Sequence, residues 1–153
     1  MTTPLPYDVP PGPASGTAGF RLMPTDDLAT GSSTLEAAAS ARGRAVRLDY
    51  TWVHPEDGEQ AGTLLLGVPG DDGSVSAGWV DSWHQPDPAH LTGSGDGASA
   101  TVGYEYAPGW RWDVEVRVAG ASVEMVMRNH VPEQDDTPAV TYDVMRASWA
   151  SRS

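Results

Sequence analysis

Apolar and polar residues alternate along most of this chain, the period of β-strands that bury one face and show the other to solvent. The clearest run is 110–118, where Trp110, Trp112, Val114, Val116 and Val118 share one face and Arg111, Asp113, Glu115 and Arg117 the other. Residues 44–54 repeat the pattern, with Val46, Leu48, Tyr50, Trp52 and His54 set against Arg47, Asp49, Thr51 and Val53. Further strands are predicted at 20–23, 62–68, 75–84, 90–94, 98–106, 122–130 and 140–149. The glycine- and proline-rich stretches at 69–73, 93–97, 107–109, 119–121 and 132–138 are hairpin-sized connections between them. The stretch 33–42 allows two readings. Ser33 and Glu36 are spaced like a capping box before Ala37, Ala38 and Ala39, which favours helix. A strand instead puts Leu35, Ala37, Ala39 and Ala41 on one face and hairpins through Arg42 and Gly43 into 44–54; the strand is preferred.

About nine or ten short strands with at most one short helix predict an all-β fold, a single antiparallel up-and-down β-barrel whose closure removes unpaired edges. A sandwich is the second choice. Residues 1–18 hold Pro4, Pro6, Pro10, Pro11 and Pro13 among small polar residues and are expected to be a disordered tail. Residues 19–153 are then the barrel domain.

Composition narrows the chemistry. With no cysteine, disulfides, thiolate metal sites and cysteine nucleophiles are excluded, which fits a reducing cytoplasm. All nine basic residues are arginine, so no lysine is present for a Schiff base or a Walker-type phosphate loop. Isoleucine is absent, and Phe20 and Asn129 are the only residues of their types. That bias against A/T-rich codons points to a GC-rich bacterial source. A net charge of −12 opposes nucleic-acid and anionic-membrane partners. No apolar run approaches the roughly 20 residues of a membrane span, and no secretory leader is read.

The inward faces carry the candidate chemistry. Tyr50, Trp52, Trp79, Trp83, Tyr104, Tyr106, Trp110 and Trp112 either fill a core or line a cavity with flat walls and polar handles. Asp81 interrupts the apolar row Val75, Ala77, Trp79 and Trp83, where a carboxylate needs a partner. That partner is an inward arginine such as Arg146, a tyrosine or an indole; otherwise Asp81 anchors a ligand or works as an acid or base. The histidines, His54, His84, His90 and His130, lack metal-ligand spacing, and His84 and His130 are read as rim hydrogen-bonding groups. Met125 and Met127 are adaptable core residues; Asn129, on the same face, caps a strand end or bonds a ligand. Ser82 lies two residues before His84, but no Gly-x-Ser-x-Gly elbow accompanies it. The glycine-rich 93–97 reads as a turn.

The segments Trp79-Val-Asp-Ser-Trp-His-Gln85 and Met125-Val-Met-Arg-Asn-His-Val-Pro132 resemble a bacterial family, domain of unknown function 1579. The opening Phe20-Arg-Leu-Met-Pro24 and Tyr50-Thr-Trp52 are similar to the same group, so the resemblance spans about 19–149. It implies a calycin-like barrel related in shape to lipocalins, fatty-acid-binding proteins and haem-binding nitrobindins, with no established activity and no catalytic residue to carry over. The Gly-x-Trp-x-Gly motif of many such chains is absent here, which argues against haem.

Three functions follow. The leading one is a lipocalin-like protein holding a small apolar or aromatic ligand through Tyr50, Trp52, Trp79, Asp81, Trp83, His84, Tyr104, Trp112, Met127 and Asn129. The second is a cofactor-independent enzyme using Asp81 or His84 in acid–base work. The third is a filled barrel that binds another protein. No metal or cofactor is expected, and the protein is read as a monomer or homodimer.

Overall fold

The alternation seen in sequence closes into a ten-stranded antiparallel up-and-down barrel in the computed structural model, which describes residues 4–151. The strands are β1 (Gly12–Phe20), β2 (Ala29–Ser40), β3 (Ala45–His54), β4 (Gly58–Gly67), β5 (Ser74–Asp81), β6 (Gln85–Gly95), β7 (Ser99–Ala107), β8 (Trp110–Ala119), β9 (Ser122–Val131) and β10 (Val140–Ser151). Each pairs with its sequence neighbours, and β1 also pairs with β10 to complete the ring. Among the described residues the only helical turns are short 3-10 segments at Pro6–Asp8 and Ala41–Gly43. The predicted inward rows of β3 and β8 are buried: Val46, Leu48, Tyr50 and Trp52 on one, Trp112, Val114, Val116 and Val118 on the other. They meet Leu64, Leu66, Met125, Met127, Met145 and Trp149 in one core that fills the barrel's girth.

The N-terminal expectation needs correction. Residues 12–18 belong to β1, and Leu5, Tyr7 and Val9 are buried, so this stretch is not a loose tail. Residues 1–3 lie outside the described residues. The prolines are tolerated because of where they fall. Pro10 and Pro11 precede the strand, and Pro13, near its start, pairs with Glu36 of β2. Tyr7 donates to the carbonyl of Gly67, 2.7 Å away, and so fastens the segment over the barrel end where β4 finishes. Chymotrypsin is therefore expected to leave the bond after Tyr7 intact until the whole barrel unfolds; early release of residues 1–7 from the native protein would contradict this packing.

Other boundaries shift for local reasons. The strand predicted at 20–23 ends at Phe20, and Leu22 and Met23 are exposed on the following loop. The stretch 33–42 is strand, as preferred, burying Ser33, Leu35 and Ala37; Ala39 and Ala41 are exposed because β2 stops at Ser40. The second strand half predicted at 82–84 is a turn, for a reason that lies in Asp81. On the outer wall, Arg128 bridges Glu115 and Asp143, at 2.8 and 3.1 Å, while Arg146 pairs with Asp143 at 2.8 Å. Arg146 thus faces outward and is not the partner of Asp81.

One seam in the wall bears on function. β6 and β7 pair only over Thr92–Gly95 and Ala100–Gly103, so the half of β6 that begins at Gln85 runs beside β7 without a ladder. Pro86 and Pro88 fall in this half and have no N–H to offer. The seam therefore opens at the barrel end that carries the β5–β6 and β7–β8 turns.

Candidate functional site

Asp81 organises this end. It is 0% exposed, and four donors converge on its two oxygens. The Tyr50 hydroxyl (2.6 Å) and the Trp52 indole N–H (3.2 Å) reach Oδ2, while the backbone N–H groups of Trp83 and His84, both at 2.9 Å, reach Oδ1. Trp79 completes the chain by donating its indole N–H to the Tyr50 oxygen at 2.9 Å. Burial and the adjacent Asp81 carboxylate push the Tyr50 phenol well above its ordinary range, so it stays a donor. Four donors match the acceptor capacity of a carboxylate. The partner of Asp81 is thus tyrosine and indole, two of the kinds expected, together with the backbone of its own turn. The bonds to residues 83 and 84 curl the chain back after β5 and carry the His84 ring inward.

Gly62 makes this arrangement possible, and nothing in the sequence reading had singled it out. It lies between Tyr50 and Asp81 in register, across β3, β4 and β5. A Cβ there would overlap the Tyr50 hydroxyl and ring carbon and stand 2.9 Å from Asp81 Oδ2. The phenol reaches the carboxylate only by crossing a residue with no side chain. An isolated glycine on the inward row Gly62, Leu64 and Leu66 was the available signal.

Above the network lies an aromatic cluster. His84 stacks on Trp52 (centroids 4.8 Å apart, planes 16°) and lies 5.2 Å from both Trp83 and Trp112. Trp79 and Trp112 stack at 5.6 Å and 13°, His54 stacks on Trp83 at 4.8 Å, and Phe20 touches Trp52, His54, Trp83 and His84. His54 Nδ1 accepts from the N–H groups of Glu56 and Asp57, and Trp83 donates its indole N–H to Asp57 at 2.9 Å. His84 is therefore packed among rings rather than serving as a rim hydrogen-bonding group. His130 fits that description instead, held on the outer wall by Asp113 and Thr141 at 2.7 and 2.9 Å. Ser82 is turned away from His84 and donates to Gln60, so the two form no nucleophile–base pair.

Where the seam meets this cluster, Trp79, Trp83, His84, Gln85, Tyr104, Tyr106 and Trp112 line a cleft of about 250 Å³ with no charged side chain. Tyr104 closes the seam by donating to Gln85 Oε1 at 2.5 Å, and Tyr106 donates to Asn129 at 2.6 Å. Tyr106 is 42% exposed and Trp110 only half-buried, at the end of the β7–β8 ladder where the register shifts between Glu105 and Ala107. Of the other expected ligand residues, Met127 lies in the core below, and Asn129 is occupied by Tyr106. Tyr50, Trp52 and Asp81 form the floor and its support rather than the cleft lining.

Among the described residues, two buried side-chain polar atoms have no hydrogen-bond partner: His84 Nε2 and Trp112 Nε1. Both belong to rings of this cleft. Native proteins rarely leave such groups unsatisfied, and each costs about 1–3 kcal/mol. The contrast with the other buried indoles is sharp, since Trp52, Trp79 and Trp149 all donate, to Asp81, Tyr50 and Ser33. A larger groove of about 670 Å³ crosses the outer faces of β1–β5, where Thr34 pairs with Thr51 at 2.9 Å and Thr63 with Asp49 at 2.7 Å.

Burial lowers the His84 pKa to about 4, with the nearby Asp81 charge opposing and His54 adding to the fall. The folded state then binds fewer protons at this site than the unfolded chain between about 4 and the ordinary 6.5. Stability should fall as pH drops through that window, by about 2–3 kcal/mol from this group. Urea unfolding of His84→Phe should lose this slope; an unchanged slope would place the pH dependence elsewhere. No family model matches the chain, and no curated protein matches it.

Proposed function

We propose that this barrel binds a small, neutral, planar ligand in the aromatic cleft at the open seam between β6 and β7. The observation that carries this reading is that both partnerless buried atoms, His84 Nε2 and Trp112 Nε1, belong to residues that line one aromatic cleft. Flat apolar walls with few converging polar groups are the ordinary make-up of a small-molecule site. The closed ten-stranded antiparallel barrel is consistent with the shape of a lipocalin-like ligand-binding barrel. Because the interior residues pack into one apolar core, this reading puts the ligand at the barrel mouth rather than in its interior.

Entry falls to the rim. The two nitrogens are closed to solvent, so a ligand reaches them when the Tyr104–Gln85 bond across the seam opens and the half-buried Tyr104 or Trp83 ring swings outward. Acid–base catalysis is the weaker reading. Both oxygens of Asp81 are committed to protein donors, and a histidine with a pKa near 4 is a poor base at neutral pH.

Saturation-transfer NMR with naphthalene as a neutral planar probe tests the site. Tyr104→Ala should weaken binding about tenfold by removing a cleft wall, whereas Leu65→Ala, at an exposed outer-wall position, should leave it unchanged. Equal effects of the two substitutions would place the probe on the general surface and overturn the assignment.

A further inference from the structure

We infer that the ligand of the seam cleft carries a hydroxyl on its planar ring, a phenol-class molecule whose oxygen bridges Trp112 Nε1 and His84 Nε2. The inference rests on the binding reading given above and names the chemistry that this site selects.

The demands of the two nitrogens fix the group. An indole N–H is a donor only, so its partner must accept. The neutral imidazole of His84 presents at Nε2 either a lone pair or an N–H, according to tautomer. A hydroxyl is the smallest group that accepts from the indole while donating to, or accepting from, the imidazole. A carbonyl serves one imidazole tautomer only, and an ether oxygen cannot donate. Size agrees, because both atoms are closed to solvent and only a small substituent reaches them while its ring stays in the cleft.

Charge excludes the nearest alternatives. No arginine lines the cleft and the chain carries a net charge of −12, so a carboxylate or phenolate finds no counter-ion and an unfavourable field. A quaternary ammonium would need an open aromatic face. Trp112 is covered by Trp79 at 5.6 Å, and Trp52 is covered by His84 at 4.8 Å. What is left without a partner is a ring-edge N–H, which calls for an acceptor and not a cation.

The test compares 2-naphthol, 2-methoxynaphthalene and naphthalene by calorimetry at neutral pH on the full chain. The expected result is that 2-naphthol binds about tenfold or more tighter than either of the others, the scale of one or two additional buried hydrogen bonds. Trp112→Phe and His84→Phe each keep a ring in place and remove one partner. Each should erase most of the 2-naphthol advantage over naphthalene when both probes are measured on the same variant; an advantage of undiminished size in both variants would overturn the hydroxyl inference. Equal affinities for the three probes in the unsubstituted protein would overturn the hydroxyl inference and leave the planar-ligand site standing. Failure of all three to bind would overturn both. Tighter binding of tetramethylammonium than of 2-naphthol would replace the hydroxyl by a cation and likewise overturn the inference.

Discussion

Asp81→Asn should lower the stability of the barrel by about 2–4 kcal/mol although it changes no heavy-atom shape. An amide offers one acceptor oxygen, and its NH2 group turns a donor toward two of the four donors that now bond the carboxylate. Either Tyr50 and Trp52 or the turn N–H groups of Trp83 and His84 are left unsatisfied in a dry site. Hydrogen bonds to a charged group contribute about 1.5–3 kcal/mol each, and losing two of them outweighs the gain from no longer burying a charge. Because the same carboxylate shapes the 82–84 turn, the His84 ring should also loosen, seen as broadened His84 signals in NMR. Equilibrium urea unfolding measures the stability change; a loss below about 0.5 kcal/mol, the ordinary spread of surface substitutions, would mean that the donor set is not fixed by Asp81.

Gly62→Ala should cost about 3–4 kcal/mol, a large effect for one methyl group. Overpacking alone accounts for about 1–3 kcal/mol. The neighbour that must yield is the fully buried Tyr50, whose displacement also breaks its bonds to Asp81 and Trp79. Gly78→Ala in the adjacent β5 is the control, since a Cβ there meets nothing within 4 Å and the change should stay within about 0.5 kcal/mol. Similar losses at both positions would mean that glycine flexibility, and not the path of the phenol, sets the cost at 62.

Much of this fold was legible because strand alternation is a local signal. Inward rows such as Trp112–Val118 and Val46–Trp52 follow from period-two spacing, and the closed antiparallel barrel follows from the number of strands and the shortness of their connections. What misled was also local. Proline density suggested a loose N-terminus, but Pro13, within β1, pairs with Glu36, and the buried Tyr7 is held by a carbonyl 60 residues away in sequence. Alternation put Tyr106 and Trp110 in the interior, but they lie at the end of the β7–β8 ladder beside a register shift, the first exposed and the second half-buried.

Of the cleft residues, the sequence singled out the aromatic ones and His84 but not Gln85, and it did not show how any of them is held. Asp81 stood out as a carboxylate in an apolar row, yet which donors reach it depends on the pairing of β3, β4 and β5. His84 looked like a strand-end residue, because continuing the β5 alternation through 84 hides the turn that Asp81 makes with the two following N–H groups. The seam could not be read at all. It arises from the short overlap of β6 with β7, a relation between two strands rather than a property of either.

The tryptophan indole N–H signals in a ¹⁵N spectrum, of which the sequence supplies six, should respond unevenly as naphthalene is added. Trp112 should show the largest shift, with Trp79 and Trp83 following as neighbours in the cleft, while Trp149, bonded to Ser33 at 2.7 Å, stays in place. A Trp112 signal that is unmoved at saturating probe, or a larger shift at Trp149 than at Trp112, would contradict a binding site at the seam.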